Sequence, residues 1–162
     1  MAEHSARKSA PATRGELSIV DGLAQLSFLI HSTLERRAGE HHLSMIQTRL
    51  LGVLRDRRPT MNQLAKLLEL DKSSVTGLVD RAERRGLVAR VPSTTDGRAV
   101  LVTLTDAGRT SVAAVAAGFE TDVAAILAAL PTSDRRALSA LVSRVLVAHA
   151  TARGVDLFAT SS

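Results

Sequence analysis

The chain has 162 residues, 45% of them hydrophobic, which suits a single domain with a buried core. It contains no cysteine, which excludes disulfides, thiolate catalysis and cysteine-ligated zinc. With three phenylalanines and no tyrosine or tryptophan, it offers few rings for stacking unpaired bases, which argues against single-stranded nucleic acid. The net charge of +5 is unevenly spread, because residues 49–98 hold eleven Lys or Arg against six Asp or Glu, and the remainder holds ten against ten. This basic block favours a polyanion as partner.

The ends and the apolar runs of the chain bear on where the protein works. Residues 1–15 are small and polar and lack the apolar stretch of a secretory signal, which predicts a disordered tail. The longest uncharged runs of the alanine-rich C-terminal part, such as residues 110–119, are about half as long as a membrane span requires. We therefore expect a cytoplasmic protein with no transmembrane helix and no membrane partner.

A long amphipathic helix is predicted from about Glu16 to Arg37. Its apolar residues recur every three or four positions and form one stripe. The stripe consists of Ile19, Leu23, Leu26, Ile30 and Leu34. A partner surface from elsewhere must cover this face.

Two capping-box patterns predict two short helices in succession. One box pairs Ser44 with Gln47, and the other pairs Thr60 with Gln63. The second of these helices ends near Glu69. A further helix follows at once, and two short helices joined by a tight turn constitute a helix-turn-helix.

The helix after Asp71 is basic on one face and apolar on the other. The Asp71 carboxylate is a good N-cap, because it can accept a backbone amide of the first turn and suits the positive end of the helix dipole. Helical spacing places Val75, Leu78, Val79 and Ala82 on one face. The opposite face carries short or charged groups, namely Lys72, Ser73, Thr76, Gly77, Asp80, Arg81 and Arg84. Gly86 is predicted to end the helix in the left-handed conformation.

Two strands with a turn between them follow that helix. Residues 87–91 and 100–104 alternate with the period of two that strands show. Pro92 and the Asp96-Gly97 dipeptide are turn-forming, so Arg98 is predicted at or near an exposed tip. A basic helix that leads into a hairpin with a charged tip is typical of a winged helix that binds duplex DNA.

The C-terminal part is predicted to form two more long helices. Thr105 caps the first, Pro131 ends it, and Thr132 or Ser133 starts the second, which runs to about Ala152. Their apolar stripes exceed what a small core can cover, so we infer a helical dimerisation module. A twofold dimer places two recognition helices about 34 Å apart, one turn of DNA.

The predicted fold is thus mainly α with a small β-hairpin wing. A winged helix-turn-helix region at 43–104 is flanked by a helical dimerisation module at 16–42 and 105–153, with tails at 1–15 and 154–162.

These features together resemble the multiple antibiotic resistance regulator (MarR) family. MNQLAKLLELDKSSVTGLVDRAERRGLV resembles the family's helix-turn-helix, and DGRAVLVTLTDAGR resembles its wing signature. The resemblance covers about Glu16 to Ala152. It implies a homodimeric transcriptional regulator, usually a repressor, that binds a pseudopalindromic operator. It also implies release by a small effector, often phenolic or carboxylate-bearing.

The resemblance also implies roles for individual residues at the DNA. Ser73, Ser74, Thr76 and Arg81 would face the major groove and its phosphates, with Lys72, Gly77 and Arg84 completing the DNA-binding set. Asp96 would orient Arg98, which would enter the flanking minor groove. Family members often carry a basic or larger polar side chain where this chain has Gly77. We expect specificity to lean on Arg81 instead.

A sensory pocket between the first two helices and the fifth is what the family implies. Its candidate lining residues are Phe28, His31, His42 and Arg49, and each of them also fits an ordinary packing or surface position. Arg84 and Arg85 likewise have a structural alternative, because a helix C-terminus favours cations whether or not DNA is bound.

Metal binding and catalysis are not predicted. Glu40, His41 and His42 form a cluster that His31 could approach, but the spacing matches no zinc pattern. The chain has no nucleophile elbow, glycine-rich phosphate loop or paired-carboxylate motif, so we predict no enzyme and no cofactor. Two rival functions remain, a nonspecific architectural DNA binder and a winged-helix protein-interaction module that has lost DNA binding.

Overall fold

The structure is a computed structural model that describes residues 15–93, 99–152 and 154. It is mainly helical with one two-stranded antiparallel sheet, as predicted. The elements in chain order are α1 (Ile19–Glu40), α2 (Met45–Arg55), α3 (Met61–Leu68), α4 (Lys72–Arg84), β1 (Val88–Pro92), β2 (Val100–Leu104), α5 (Asp106–Ile126), a 3₁₀ turn (Leu127–Ala129) and α6 (Thr132–Ala152). Asp96, Arg98, residues 1–14 and most of the predicted C-terminal tail lie outside the described residues.

The chain forms two compact units, residues 1–32 and residues 33–162. In the first unit, α1 begins at Ile19 and not near Glu16. The reason is a cap at Ser18, whose hydroxyl accepts the backbone amide of Asp21 at 3.1 Å and donates to its carboxylate at 2.6 Å. The side chains of Leu23 and Phe28 in this unit are 61% and 68% exposed.

In the larger unit, α1 runs three residues past the predicted end. It stops at Glu40 because His42 takes the left-handed conformation with a φ of 55°. The amides of His42 and Leu43 then donate to the carbonyls of Gly39 and Ala38, both at 2.9 Å. This is the Schellman arrangement, which glycine usually provides.

The core of the larger unit lies among α2, α3, α4 and the hairpin, and the first half of α5 packs against it. Both predicted capping boxes are present, at Ser44 with Gln47 and at Thr60 with Gln63. The side chains that are most completely buried come from each of these elements, and include Leu50, Leu64, Val75, Val79 and Val102.

The hairpin is anchored to the start of α3. Val88 of β1 lies opposite Leu104 of β2, and the strands pair along their whole length. On its other edge β2 bridges to Thr60, and the Val102 amide donates to the Pro59 carbonyl at 2.9 Å. Thr60 therefore caps α3 and holds the wing at the same time.

The fifth helix is shorter than predicted but continues as a 3₁₀ turn. The α-helix ends at Ile126, and Leu127–Ala129 form the turn before Pro131. By length and composition alone, the segment Asp106–Ala129 is long and apolar enough to cross a bilayer. The length of its uncharged runs did not predict this. Two of its valines, Val112 and Val115, are buried in the core.

The last helix, Thr132–Ala152, has the predicted bounds and a largely exposed apolar stripe. Four of its apolar side chains are between 43% and 67% exposed in the single chain, namely Leu141, Val142, Val145 and Leu146.

Candidate nucleic-acid interface

The first turn of α4 is organised around the Asp71 carboxylate. It accepts the Ser74 amide at 2.8 Å and the hydroxyls of Ser73 and Ser74 at 2.5 and 2.6 Å. The hydrogen bonds from Ser73 and Ser74 hold the pKa of Asp71 well below its ordinary value. Both serines lie on the exposed side, where DNA contact was predicted. Each hydroxyl hydrogen is already donated to Asp71, so these serines are oriented to offer their oxygens as acceptors.

The inward face of α4 is the predicted one. Val75, Leu78, Val79 and Ala82 are at most 1% exposed, so this helix is fixed firmly against the core. Its outward face exposes Lys72, Thr76, Arg81 and Arg84. The Thr76 hydroxyl donates to the Lys72 carbonyl at 2.8 Å. Packing on one side thus leaves a rigid polar surface on the other.

Asp80 is the exception to the predicted face. The sequence placed it on the outward face, but its carboxylate turns towards the hairpin and accepts the Arg90 guanidinium at 2.6 Å. The other guanidinium arm of Arg90 pairs with Glu83. Hydrogen bonds to Asp80 and Glu83 raise the pKa of Arg90 above its ordinary value.

The negative charges of α4 and its cap are paired within the protein, whereas its exposed positive charges are not. The three carboxylates are all engaged inside the protein, Asp71 by serines and Asp80 and Glu83 by Arg90. Within the described residues, the cations Lys72, Arg81 and Arg84 make no ion pair. Free cations on a rigid, exposed helix face can neutralise phosphates, and each such contact releases counterions.

Gly77 leaves room on this face for a neighbouring arginine. A methyl group built at Gly77 would lie 3.2 Å from Nη1 of Arg81. The Arg81 guanidinium therefore lies across the surface that a larger residue at position 77 would occupy. The role of Arg81 in specificity stays a prediction.

The end of α4 is tied to two other helices. Gly86 has a φ of 68°, as predicted for the residue that ends the helix, and its amide donates to the Glu83 backbone carbonyl at 2.8 Å. The Arg85 guanidinium donates to the Gln47 amide oxygen at 3.0 Å, and the Thr105 hydroxyl donates to the Gly86 carbonyl at 2.6 Å. The C-terminal end of α4 is therefore held by α2 and by the start of α5.

Comparison with known proteins identifies the arrangement of helix and wing. A sequence model of the MarR family matches residues 41–99, which include α2, α3, α4 and β1. The transcriptional activatory protein BadR of Rhodopseudomonas palustris is 38% identical over 89 residues, a match that covers 51% of this chain and 50% of BadR. The HTH-type transcriptional repressor NicR of Pseudomonas putida is 28% identical over 112 residues, covering 66% and 71% of the two chains. The chain therefore resembles MarR-family regulators, and its residues 41–99 match the family itself.

Solved structures show that the MarR-type fold extends over most of the chain. RV1404 from Mycobacterium tuberculosis is 27% identical with a TM-score of 0.69, and the match covers 84% of this chain and 97% of that one. The MepR–DNA complex of S. aureus is 20% identical with a TM-score of 0.65, covering 82% and 99%. NadR in complex with 4-hydroxyphenylacetate is 23% identical with a TM-score of 0.65, covering 84% and 97%. By sequence, the chain spans about half the length of BadR.

The residues predicted to line a MarR-family effector pocket are all on exposed positions of the single chain. Phe28 and His31 belong to the N-terminal unit, and His42 and Arg49 belong to the larger unit. His42 occupies the left-handed turn after α1. Arg49 donates to the Leu67 carbonyl at 3.3 Å and so links α2 to α3. Their role in ligand binding stays a prediction.

The acidic residue of the Glu40-His41-His42 cluster has other partners. Glu40 pairs with Arg36 at 3.3 Å and with Arg37 at 3.0 Å. Among the described residues, no group of three His, Asp or Glu side chains is arranged to hold a metal ion.

Asp122 of α5 accepts Arg36 and Arg37 at 2.7 Å, and its hydrogen bond from Arg37 helps to lower its pKa to about 2.

The sequence analysis did not predict the ion pairs of Arg90 with α4 or of Asp122 with α1. Arg90 follows Val88 by two positions on the same strand, and this period was the available signal that it faces the helices. Asp122 lies 85 and 86 residues from Arg37 and Arg36, and no local pattern joins positions so far apart.

Proposed function

We propose that this protein is a sequence-specific, duplex-DNA-binding transcriptional regulator that acts as a homodimer on a pseudopalindromic operator. The division of charge on α4 carries the proposal, because Lys72, Arg81 and Arg84 are exposed and unpaired within the described residues while Asp80 and Glu83 are both paired with Arg90. Phosphate contacts from these cations give affinity, and the base edges within reach of Thr76 and Arg81 give specificity. The wing residues Asp96 and Arg98 are assigned to the flanking minor groove on the family resemblance. Under this proposal the protein works in the cytoplasm, where it meets chromosomal DNA.

The exposed stripe of α6 supports the homodimer. An apolar row with side chains such as Val145 at 67% exposure is costly to leave in water, and a second copy of the chain would cover it. In this proposal a dimer is also required by DNA, because one recognition helix reads only a few base pairs.

We further propose that the regulator is a repressor released by a small phenolic or carboxylate-bearing effector. NicR is named as a repressor, and NadR was solved with 4-hydroxyphenylacetate. Phe28, His31, His42 and Arg49 are the proposed pocket residues. Release requires the effector to favour a non-binding geometry of the dimer by several kcal/mol.

Selection from a random duplex pool tests the DNA-binding half of the proposal. The regulator should enrich a pseudopalindrome whose half-sites lie about one helical turn apart. A nonspecific architectural binder, the rival that shares the free cations, would retain DNA without enriching a motif. A protein-interaction module would retain no duplex at all.

A titration tests the effector half. Phenolic acids such as 4-hydroxyphenylacetate are added to the protein bound to its selected duplex, with phenylalaninamide as a ring compound that has no carboxylate. A fall in operator affinity with the acids alone supports the proposal. Affinity that no acid lowers contradicts ligand release and leaves DNA binding standing.

A further inference from the structure

Arg90 lies on the face of the hairpin that packs against the helices. It pairs with Val102 across the sheet, and its neighbour at two residues, Val88, pairs with Leu104. Val88, Val102 and Leu104 are all buried. Because side chains alternate along a strand, Arg90 projects to the same inward side as these three residues. An arginine at this place needs partners at the edge of the core.

Its partners come from one side of α4. Nη2 of Arg90 donates to the Asp80 carboxylate at 2.6 Å, and Nη1 donates to the Glu83 carboxylate. The backbone amide of Arg90 donates to the other oxygen of Glu83 at 3.3 Å. Residues three apart on a helix share a face, so Asp80 and Glu83 form a single receptor for this arginine.

The hydrogen bond from the Arg90 amide to Glu83 fixes the position of β1 along α4. Val102, opposite Arg90, sends its amide away from β1 to the Pro59 carbonyl at 2.9 Å. Arg90 and Val102 thus form a non-hydrogen-bonded pair, in which the Arg90 amide points away from β2 and would otherwise have no ladder partner. Glu83 supplies that partner, so sliding β1 along α4 breaks the amide contact together with the two ion pairs.

We propose that Arg90 is a positioning residue that sets the wing against the recognition helix so that both engage the duplex, and that it does not contact DNA itself. This inference rests on the proposed function, because it gives the residue a part in operator binding. Both terminal nitrogens of its guanidinium are directed at carboxylates of α4, and its side chain is only 29% exposed. Arg90 affects DNA binding only through the position of the wing.

Substitutions at both ends of the ion pair test the proposal on the selected duplex. Arg90→Met keeps the apolar stem but loses the donors, and Glu83→Gln keeps the size but loses the charge. Both are expected to lower operator affinity about tenfold, the scale of a coupled pair of side chains. Arg90→Lys, which reaches one carboxylate at a time, should fall between Arg90→Met and wild type. Arg55→Met is the matched control, because it removes one cation and the exposed 3.0 Å pair with Asp56.

The sign of the Glu83→Gln effect separates the two possible roles of Arg90. If Arg90 contacted phosphate directly, removing the competing carboxylate would free it and tighten binding. Weaker binding by Glu83→Gln, although it removes a negative charge near DNA, supports positioning. Tighter binding by Glu83→Gln overturns the proposal.

Hydrogen exchange in the DNA-free protein gives an independent readout. The amides of β1 and β2 should exchange faster in Arg90→Met and Glu83→Gln, and at the wild-type rate in Arg55→Met. Unchanged exchange in both variants overturns the proposal whatever the DNA result. If the wild-type protein does not distinguish the selected duplex from a scrambled one, the proposed function fails, and the exchange rates still decide whether Arg90 holds the wing.

Discussion

Gly108 lies where the first turn of α5 packs against the Leu87 backbone, between α4 and β1. A methyl group built there would lie 1.9 Å from the Leu87 carbonyl oxygen and 2.9 Å from its carbon. Both atoms are backbone, so no side chain can rotate out of the way. Ordinary contact begins at 3.4 Å. Gly108→Ala therefore forces α5 and the α4–β1 connection apart by about 1 Å or more, in a region that is otherwise closely packed.

The cost of that separation follows from the contacts at the joint. The Thr105 amide donates to the Leu87 carbonyl at 3.1 Å, and the Thr105 hydroxyl donates to the Gly86 carbonyl at 2.6 Å. Losing both hydrogen bonds costs about 2 kcal/mol, and overpacking adds about 1–3 kcal/mol. The better helix propensity of alanine returns about 1 kcal/mol. The free energy of unfolding should fall by about 2–4 kcal/mol, which lowers the Tm by roughly 10 °C in a chain of this length.

Urea unfolding followed by far-ultraviolet circular dichroism measures this change, with Gly52→Ala as the matched control. Gly52 lies inside α2, and a methyl group there would meet nothing within 4 Å. The same substitution should raise stability at Gly52 by about 0.5–1 kcal/mol. A Gly108→Ala protein within about 1 kcal/mol of wild type would refute the reasoning, as would equal losses from both substitutions.

The turn after α1, the ion pairs of Asp122 and the free cations of α4 can each be tested by substitution. His42 holds a φ of 55°, so His42→Gly should raise the free energy of unfolding by about 1 kcal/mol in urea titrations, and a loss would show that the His42 side chain makes stabilising contacts. Asp122 has a folded pKa of about 2, below its unfolded value, so its contribution to stability is present above about pH 4 and is lost as the pH falls towards 2. Asp122→Asn should therefore be less stable than wild type near neutral pH and should show a smaller acid-induced loss between pH 4 and 2 in thermal melts; parallel pH profiles would contradict the assigned pairing. Lys72→Ala, Arg81→Ala and Arg84→Ala should each reduce the slope of log affinity against log salt by about 0.9 if each residue neutralises one phosphate. An unchanged slope in fluorescence titrations would remove that residue from the interface.

Local patterns in the sequence predicted most of the elements. The caps at Ser44, Thr60, Asp71 and Thr105 are short-range features, and all four are present in the structure. Helical spacing likewise predicted the buried face of α4, because burial of a helix against one surface imposes a period of 3.6. The start of α1 was wrong by three residues because the Ser18 cap was overlooked.

Long-range geometry explains what the sequence did not predict. The pairing of Arg90 with Asp80 depends on how the hairpin lies against α4, and the close approach of Gly108 to Leu87 depends on where α5 begins. Neither relation has a fixed spacing that a pattern could reveal. The same reason applies to Arg81, whose Nη1 lies 3.2 Å from the position that a methyl group at Gly77 would take.

Fluorescence anisotropy can show whether the free cations of α4 serve a specific operator. Wild-type protein is titrated at fixed salt onto its selected duplex and onto a scrambled duplex, with Arg81→Ala and Arg98→Ala in parallel. Arg135→Ala, an exposed position in the first turn of α6, is the control. We expect a preference of about a thousandfold or more for the selected duplex, weakened by the first two substitutions and unchanged by the third. Equal affinity for the two duplexes would contradict it.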